Sequence, residues 1–191
     1  MTKPAAKPYH ESIGTPKSPG RRDNMDDALF AARLLLENIT PMKRDCGKIC
    51  DAACCRAPEG ETAGMLLFPG EEEAYRGREG WRIVRGADGP LVVCPGACDR
   101  AERPLACRIF PLVPVRKDGE IRAVTDLGAR GVCPLARQGK SALDPAFTEA
   151  VRKAGELLDK SPEQAAFLDR LTARQAEWKQ LIGQFGGKGH V

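Results

Sequence analysis

Eight cysteines dominate the chemistry open to this chain. Cys46, Cys50, Cys54 and Cys55 lie within ten residues, and Cys94, Cys98, Cys107 and Cys133 follow. The two histidines, His10 and His190, stand near the chain ends. Thiolates without imidazole suit an all-cysteine metal site, holding zinc or an iron–sulfur cluster. Catalytic zinc normally takes a histidine or carboxylate and keeps an open position, which argues against hydrolytic zinc chemistry. Dithiol redox chemistry usually shows C-x-x-C within a thioredoxin-like βαβ pattern, and this chain has neither. Eight buried free thiols acting as small apolar residues are the plain alternative, which the clustering disfavours.

The spacing narrows the choice of metal. Zinc ribbons use C-x-x-C knuckles, whereas three residues separate Cys46 from Cys50, Cys50 from Cys54, and Cys94 from Cys98. A helical i, i+4 pair holds its Cβ atoms about 5–6 Å apart, which favours a polynuclear cluster over a single ion. The vicinal pair Cys54-Cys55 adds a constraint. Neighbours on a helix point about 100° apart and neighbours on a strand face opposite ways. Both reach one metal only if the backbone is irregular there. Otherwise they serve two centres, or one of them is not a ligand.

The elements that must position these thiols read as a small α+β protein. At 191 residues the chain is one domain with tails, or a small domain plus a helical appendage. The net charge of +4 resides in residues 1–22, which carry Lys3, Lys7, Lys17, Arg21 and Arg22 against Glu11. The electrically neutral remainder is unlike a nucleic-acid-binding surface. Four prolines and no apolar periodicity mark 1–22 as a disordered basic leader. It lacks the apolar core of a secretory signal, and no stretch is apolar enough to span a membrane, so a cytoplasmic, reducing compartment is expected.

A helix is expected from Asp23–Met25, capped by Asp23 or Asn24, with an apolar stripe of Leu29, Ala32, Leu36 and Ile39, and ended by Pro41. Cys46–Cys55 can be helical. Met65–Phe68 reads as a strand and Pro69–Tyr75 as a short helix whose Glu71, Glu72 and Glu73 favour its dipole. Two hairpins are expected, Trp81–Val84 with Leu91–Val93 around Asp88-Gly89, and Leu112–Val115 with Ile121–Thr125 around Asp118-Gly119. The C-terminal part reads as a helical hairpin over 141–184. Asp144-Pro145 starts the first helix, and the capping-box spacing of Ser161 to Gln164 starts the second. Residues 23–140 then form the cysteine-cluster domain, and 185–191 a flexible tail. The C-terminal apolar stripes serve core packing first and a protein partner second.

One block is more specific. Cys94-Pro-Gly-Ala-Cys98-Asp-Arg-Ala-Glu-Arg103-Pro104-Leu-Ala-Cys107-Arg108-Ile-Phe110-Pro111, with the upstream run ending Cys54-Cys55, resembles the YkgJ-like cysteine-cluster family of zinc- or iron-chelating domains. That family shows a CxxCxxCC run, an RPxxCRxFP segment and a late cysteine. Arg103 to Pro111 matches the segment fully, and Cys133-Pro134 corresponds to the late element. The resemblance covers about residues 46–137, and the first run departs from it in carrying three-residue gaps. It implies metal binding by the cysteines. Relatives include flagellin lysine methylases, longer chains that carry an iron–sulfur cluster. This chain lacks the glycine-rich strand-to-helix turn of a nucleotide or S-adenosylmethionine site, so methylase activity is not carried over.

Four thiolates leave either a zinc site or an oxidised [4Fe-4S] cluster with net negative charge. Arg103 and Arg108, flanking Cys107, are therefore placed to balance it or to donate to sulfur. The expectation is a metal-binding protein with Cys46, Cys50, Cys54, Cys55, Cys94, Cys98, Cys107 and Cys133 as ligands. An iron–sulfur cluster is favoured over zinc, for electron transfer or metal handling. The alternatives are a methylase-like enzyme or subunit, and a zinc-stapled interaction module.

Overall fold

The computed structural model describes residues 25–44, 46–56, 64–96 and 98–185. The leader and the last six residues lie outside this description, as do the Asp23 and Asn24 capping positions. The fold is α+β. Helix α1 spans Asp27–Leu35 and is capped by Asp26, whose side chain accepts from the Ala28 amide. It stops well short of Pro41, because the chain beyond it is held by a side chain from elsewhere. The Arg100 guanidinium donates to the carbonyls of Leu36, Glu37 and Ile39.

Two antiparallel sheets follow. β1 (Met65–Leu66), β2 (Arg82–Gly86) and β3 (Gly89–Val93) form a three-stranded sheet in the order β1-β3-β2. Its hairpin is closed by the Gly86–Gly89 pair around Ala87-Asp88. β4 (Leu112–Lys117) and β5 (Glu120–Thr125) form a separate hairpin. Its two-residue turn is Asp118-Gly119, with φ of 54° and 80°. Two successive left-handed residues are what a turn matched to strand twist demands, which is why Asp-Gly was legible as a hairpin.

Helix α5 (Pro145–Leu158) starts as expected, with Asp144 accepting from Ala146 N and proline in the first turn. Helix α6 runs Pro162–Phe185. Its expected capping box does not form. Gln164 is fully buried, and its amide nitrogen donates to the Pro69 carbonyl at 2.8 Å instead of its oxygen serving the Ser161 amide. The Ser161 amide donates to Leu158 O.

The two helices are not an appendage. Phe147, Val151, Ala154 and Leu158 of α5 and Phe167, Leu168 and Leu171 of α6 share one buried cluster with Leu29, Ala32 and Leu36 of α1 and with β4–β5. No packing boundary falls at residue 140. Gly155 shows why α5 can lie so close, since an added Cβ would stand 2.5 Å from Ile121 Cγ2 and 2.7 Å from Pro114 Cβ. The far end of α6 leaves Trp178, Leu181 and Ile182 exposed. Among the described residues no helix is long and apolar enough to cross a membrane.

The polar centre of the fold is Glu71, expected from sequence as a helix-dipole partner and found fully buried. Its carboxylate accepts from the amides of Phe68 at 3.0 Å and Leu105 at 2.8 Å, and it pairs with Arg33 of α1. Leu105 opens helix α3 (Leu105–Ile109), whose N-cap Pro104 has no side-chain acceptor to offer. Glu71 supplies that acceptor from 34 residues away. Burial penalises the Arg33 charge, but Glu71 and Tyr75 outweigh it and raise its pKa.

Two stability outcomes follow. Glu71→Ala strands the Arg33 charge and two amides, which costs about 3–5 kcal/mol for a broken buried pair. At about 2–4 °C per kcal/mol, thermal unfolding should show a Tm lowered by about 6 °C or more. In Gly155→Ala, overpacking of about 1–3 kcal/mol opposes a helix-propensity gain of about 1 kcal/mol. Contacts of 2.5 and 2.7 Å place the loss at the upper end, so denaturant titration should show net destabilisation.

Candidate metal centre

The local chain around the first cysteines is irregular where the vicinal pair needs it to be. Helix α2 covers only Cys46–Cys50. Asp51 and Ala52 then take left-handed φ of 51° and 50°, and a 3-10 turn spans Ala53–Cys55. The continuous helix that could have carried Cys46, Cys50 and Cys54 on one face is therefore broken before Cys54. The Cys50 thiol donates to Cys46 O at 3.3 Å, and the Cys54 and Cys55 sulfurs stand 4.0 Å apart.

The other four come from separate elements. Cys94 follows the end of β3, and Cys98 lies beyond Gly96, which has φ of 86°. Cys107 sits in α3. Cys133 is the N-cap of helix α4 (Pro134–Gln138), its amide bound to Ala129 O at 2.8 Å. All eight thiols are free.

Tertiary folding gathers most of them around one space. Cys54, Cys55, Cys94, Cys98 and Cys107 line a cavity of about 80 Å³, walled by Trp81, Val92 and Phe110, with Arg103 among its lining. This exceeds the roughly 30 Å³ a water occupies in the liquid. The thiols feel one another electrostatically. Burial, and then Cys55, Cys98 and Cys94, raise the Cys107 pKa well above its ordinary value. Burial raises Cys98 as well, against the opposing pull of Arg103. The Cys54 and Cys55 thiols are within hydrogen-bonding reach of each other at 4.0 Å. Their hydrogen bond raises Cys54 and lowers Cys55 to about 6. Such a cluster becomes fully thiolate only when a cation supplies the compensating charge.

The two arginines expected at the site have different tasks. Arg103 stands beside Cys98 and within the field of Cys55 and Cys107, which outweigh its burial and raise its pKa. Its buried Nε has no hydrogen-bond partner. Arg108 instead serves the scaffold. Its guanidinium donates to the carbonyls of Arg103, Arg33 and Ala101 at 3.0, 2.9 and 2.7 Å. Burial, followed by the Arg33 charge, lowers its pKa to about 10, leaving it a cation at neutral pH.

Sequence reasoning missed Glu71 and Tyr75, which hold the loop that carries Cys107. Tyr75 donates to Glu102 O at 2.9 Å and stacks on Trp81 with centroids 5.0 Å apart. No local pattern marks either residue, since both act on chain about 30 residues away.

Among the described residues, no three of His, Cys, Asp and Glu are arranged to hold a single metal ion. The Cys54–Cys55 separation of 4.0 Å is near the S–S edge of about 3.8 Å implied by tetrahedral Zn–S bonds of about 2.3 Å, but no third donor joins the pair. The donor set fits a thiophilic centre on two counts: five thiols line one cavity, and Arg103, on which Cys98, Cys55 and Cys107 act electrostatically, is among its lining. Comparison with family models, curated proteins and solved structures finds no match for this chain.

Arg103→Met should leave the fold intact and weaken metal retention. Removing a residue that orients ligands typically costs 10–100-fold in metal affinity, or about 1.4–2.7 kcal/mol. Chelator competition on the metal-loaded protein, alongside a thermal melt, checks both halves of that outcome.

Proposed function

We propose that this chain is a metal-binding protein whose cysteines hold an iron–sulfur cluster in preference to zinc. The observation that carries the reading is the ring of thiols around the Arg103-edged cavity. Cys55, Cys94, Cys98 and Cys107 would hold the centre. They come from the 3-10 turn, which buries no residue, the loop after β3, and helix α3, whose Leu105 and Ile109 join the main core. Metal ligation would tie the unburied turn to the anchored helix and add folding energy there.

The three-residue gaps between Cys46, Cys50 and Cys54 and between Cys94 and Cys98 favour a cluster. A single tetrahedral ion draws its sulfurs onto one small polyhedron, whereas the ligands of a polynuclear cluster stand further apart. Arg103 supports the same reading, because its guanidinium lies within the field of Cys98, Cys55 and Cys107, and a cationic donor beside ligated sulfur stabilises it and tunes its electronics. A bound cluster would supply one-electron exchange, and Trp81 and Phe110 would limit water access to it. Electron transfer or metal handling is the role consistent with this chemistry. The resemblance of the Arg103–Pro111 segment to zinc- and iron-chelating domains points the same way.

The test is purification without oxygen, followed by a visible spectrum and counts of iron, zinc and acid-labile sulfide. A brown protein with iron and sulfide in equal amounts is expected. A colourless protein with stoichiometric zinc would overturn the iron–sulfur assignment. Cys107→Ser should lose the centre formed around this cavity, and with it part of the thermal stability.

A further inference from the structure

The cysteines divide into two groups. Cys46, Cys50 and Cys133 do not touch the Arg103-edged cavity. With Cys54 they line a second one of about 250 Å³, whose remaining walls are mostly apolar. Cys54 and Phe110 belong to both linings and form the partition. The packing shows the same division. Cys94 and Cys98 pack against the buried group of Leu67, Tyr75, Trp81 and Val92. Cys133 belongs to another buried group, with Ala129 and Ala136, against which Phe110 packs.

We propose that Cys46, Cys50, Cys54 and Cys133 form a second four-thiolate metal site, distinct from the one that Cys55, Cys94, Cys98 and Cys107 would hold. This rests on the metal-binding reading above and deepens it from one centre to two. The class of ligand is a thiophilic metal ion or iron–sulfur cluster, since the lining among the described residues contributes four thiols and neither carboxylate nor imidazole. Four thiolates complete the coordination of either.

The vicinal pair is the hinge of the argument. Cys55 lines only the first cavity, whereas Cys54 lines both and lies within the field of Cys46 as well as Cys107. The left-handed Asp51 and Ala52 take the chain out of α2 immediately before the pair, so one helical face does not dictate both directions. Assigning Cys54 to the second cavity and Cys55 to the first gives each site four thiols. Adjacent sulfurs would then ligate neighbouring centres. The two cavities also differ in electrostatics, because Arg103 edges the first and, among the described residues, no basic side chain lines the second.

The experiment uses the full chain purified without oxygen, with iron, zinc and sulfide counted per chain for the wild type and for Cys133→Ser, Cys54→Ser and Cys55→Ser. Each single variant should keep about half of the wild-type metal, since each disables one of two ligation sites. Cys54→Ser and Cys133→Ser should remove the same spectroscopic signal, and Cys55→Ser the other. Full metal content in both Cys133→Ser and Cys54→Ser overturns the second site while leaving the first. Loss of one common signal in Cys54→Ser and Cys55→Ser also overturns it, because the pair then serves a single centre. Where a variant fails to fold, the wild-type count decides, one centre per chain overturning the proposal and two supporting it. A wild type that takes up neither iron nor zinc removes the metal-binding reading itself.

Discussion

A single buried carboxylate holds the cysteine-bearing loops to the rest of the molecule. Glu71 accepts from Phe68 beyond β1 and from Leu105 at the start of α3, and it pairs with Arg33 of α1. Burying a charge is expensive unless every lone pair finds a donor, and here the donors come from three segments distant in the chain. The arrangement also solves a local problem. Helix α3 begins after a proline that cannot cap it, and its single turn would fray without an acceptor at its N-terminus. The carboxylate that caps it fixes the orientation of Cys107.

Arginines extend this anchoring outward. Arg100 takes the carbonyls of Leu36 and Glu37 just beyond α1, and Arg108 takes three carbonyls around the same junction. Both spend their charge on backbone oxygen, which suits a planar fork of donors. Arg103 lies between them in sequence and faces the thiols. One short block therefore contains scaffold and site in alternation. This explains how an arginine-rich segment can sit beside cysteines without all of its charge being directed at them.

The apolar core lies to one side of the thiols. α1, α5 and α6 close over the β4–β5 hairpin, with Gly155 permitting backbone-close contact with Pro114 and Ile121. Cys94 and Cys98 pack at the rim of one smaller cluster and Cys133 belongs to another, while Cys107 rides on α3, whose Leu105 and Ile109 reach the main core. The 3-10 turn that carries Cys54 and Cys55 buries no residue. Burial, with Cys55, Cys98 and Cys94, raises the Cys107 pKa, so the protein alone does not favour its charged form.

What the sequence determined by itself was local chemistry. Asp118-Gly119 specified a hairpin turn because two consecutive left-handed residues need that dipeptide, and Asp144-Pro145 specified a helix start because cap and first turn lie within three residues. The α+β class was equally legible. Tertiary structure alone decided which residues left solvent and which thiols met. Glu71 and Gln164 read as ordinary helix-start residues, yet both are buried by partners 34 and 95 positions away. The division of eight cysteines into two groups depends likewise on where Phe110 and Cys54 pack. Caps and turns are satisfied within a few bonds along the chain. Burial and ligand convergence depend on which distant surfaces exclude water together.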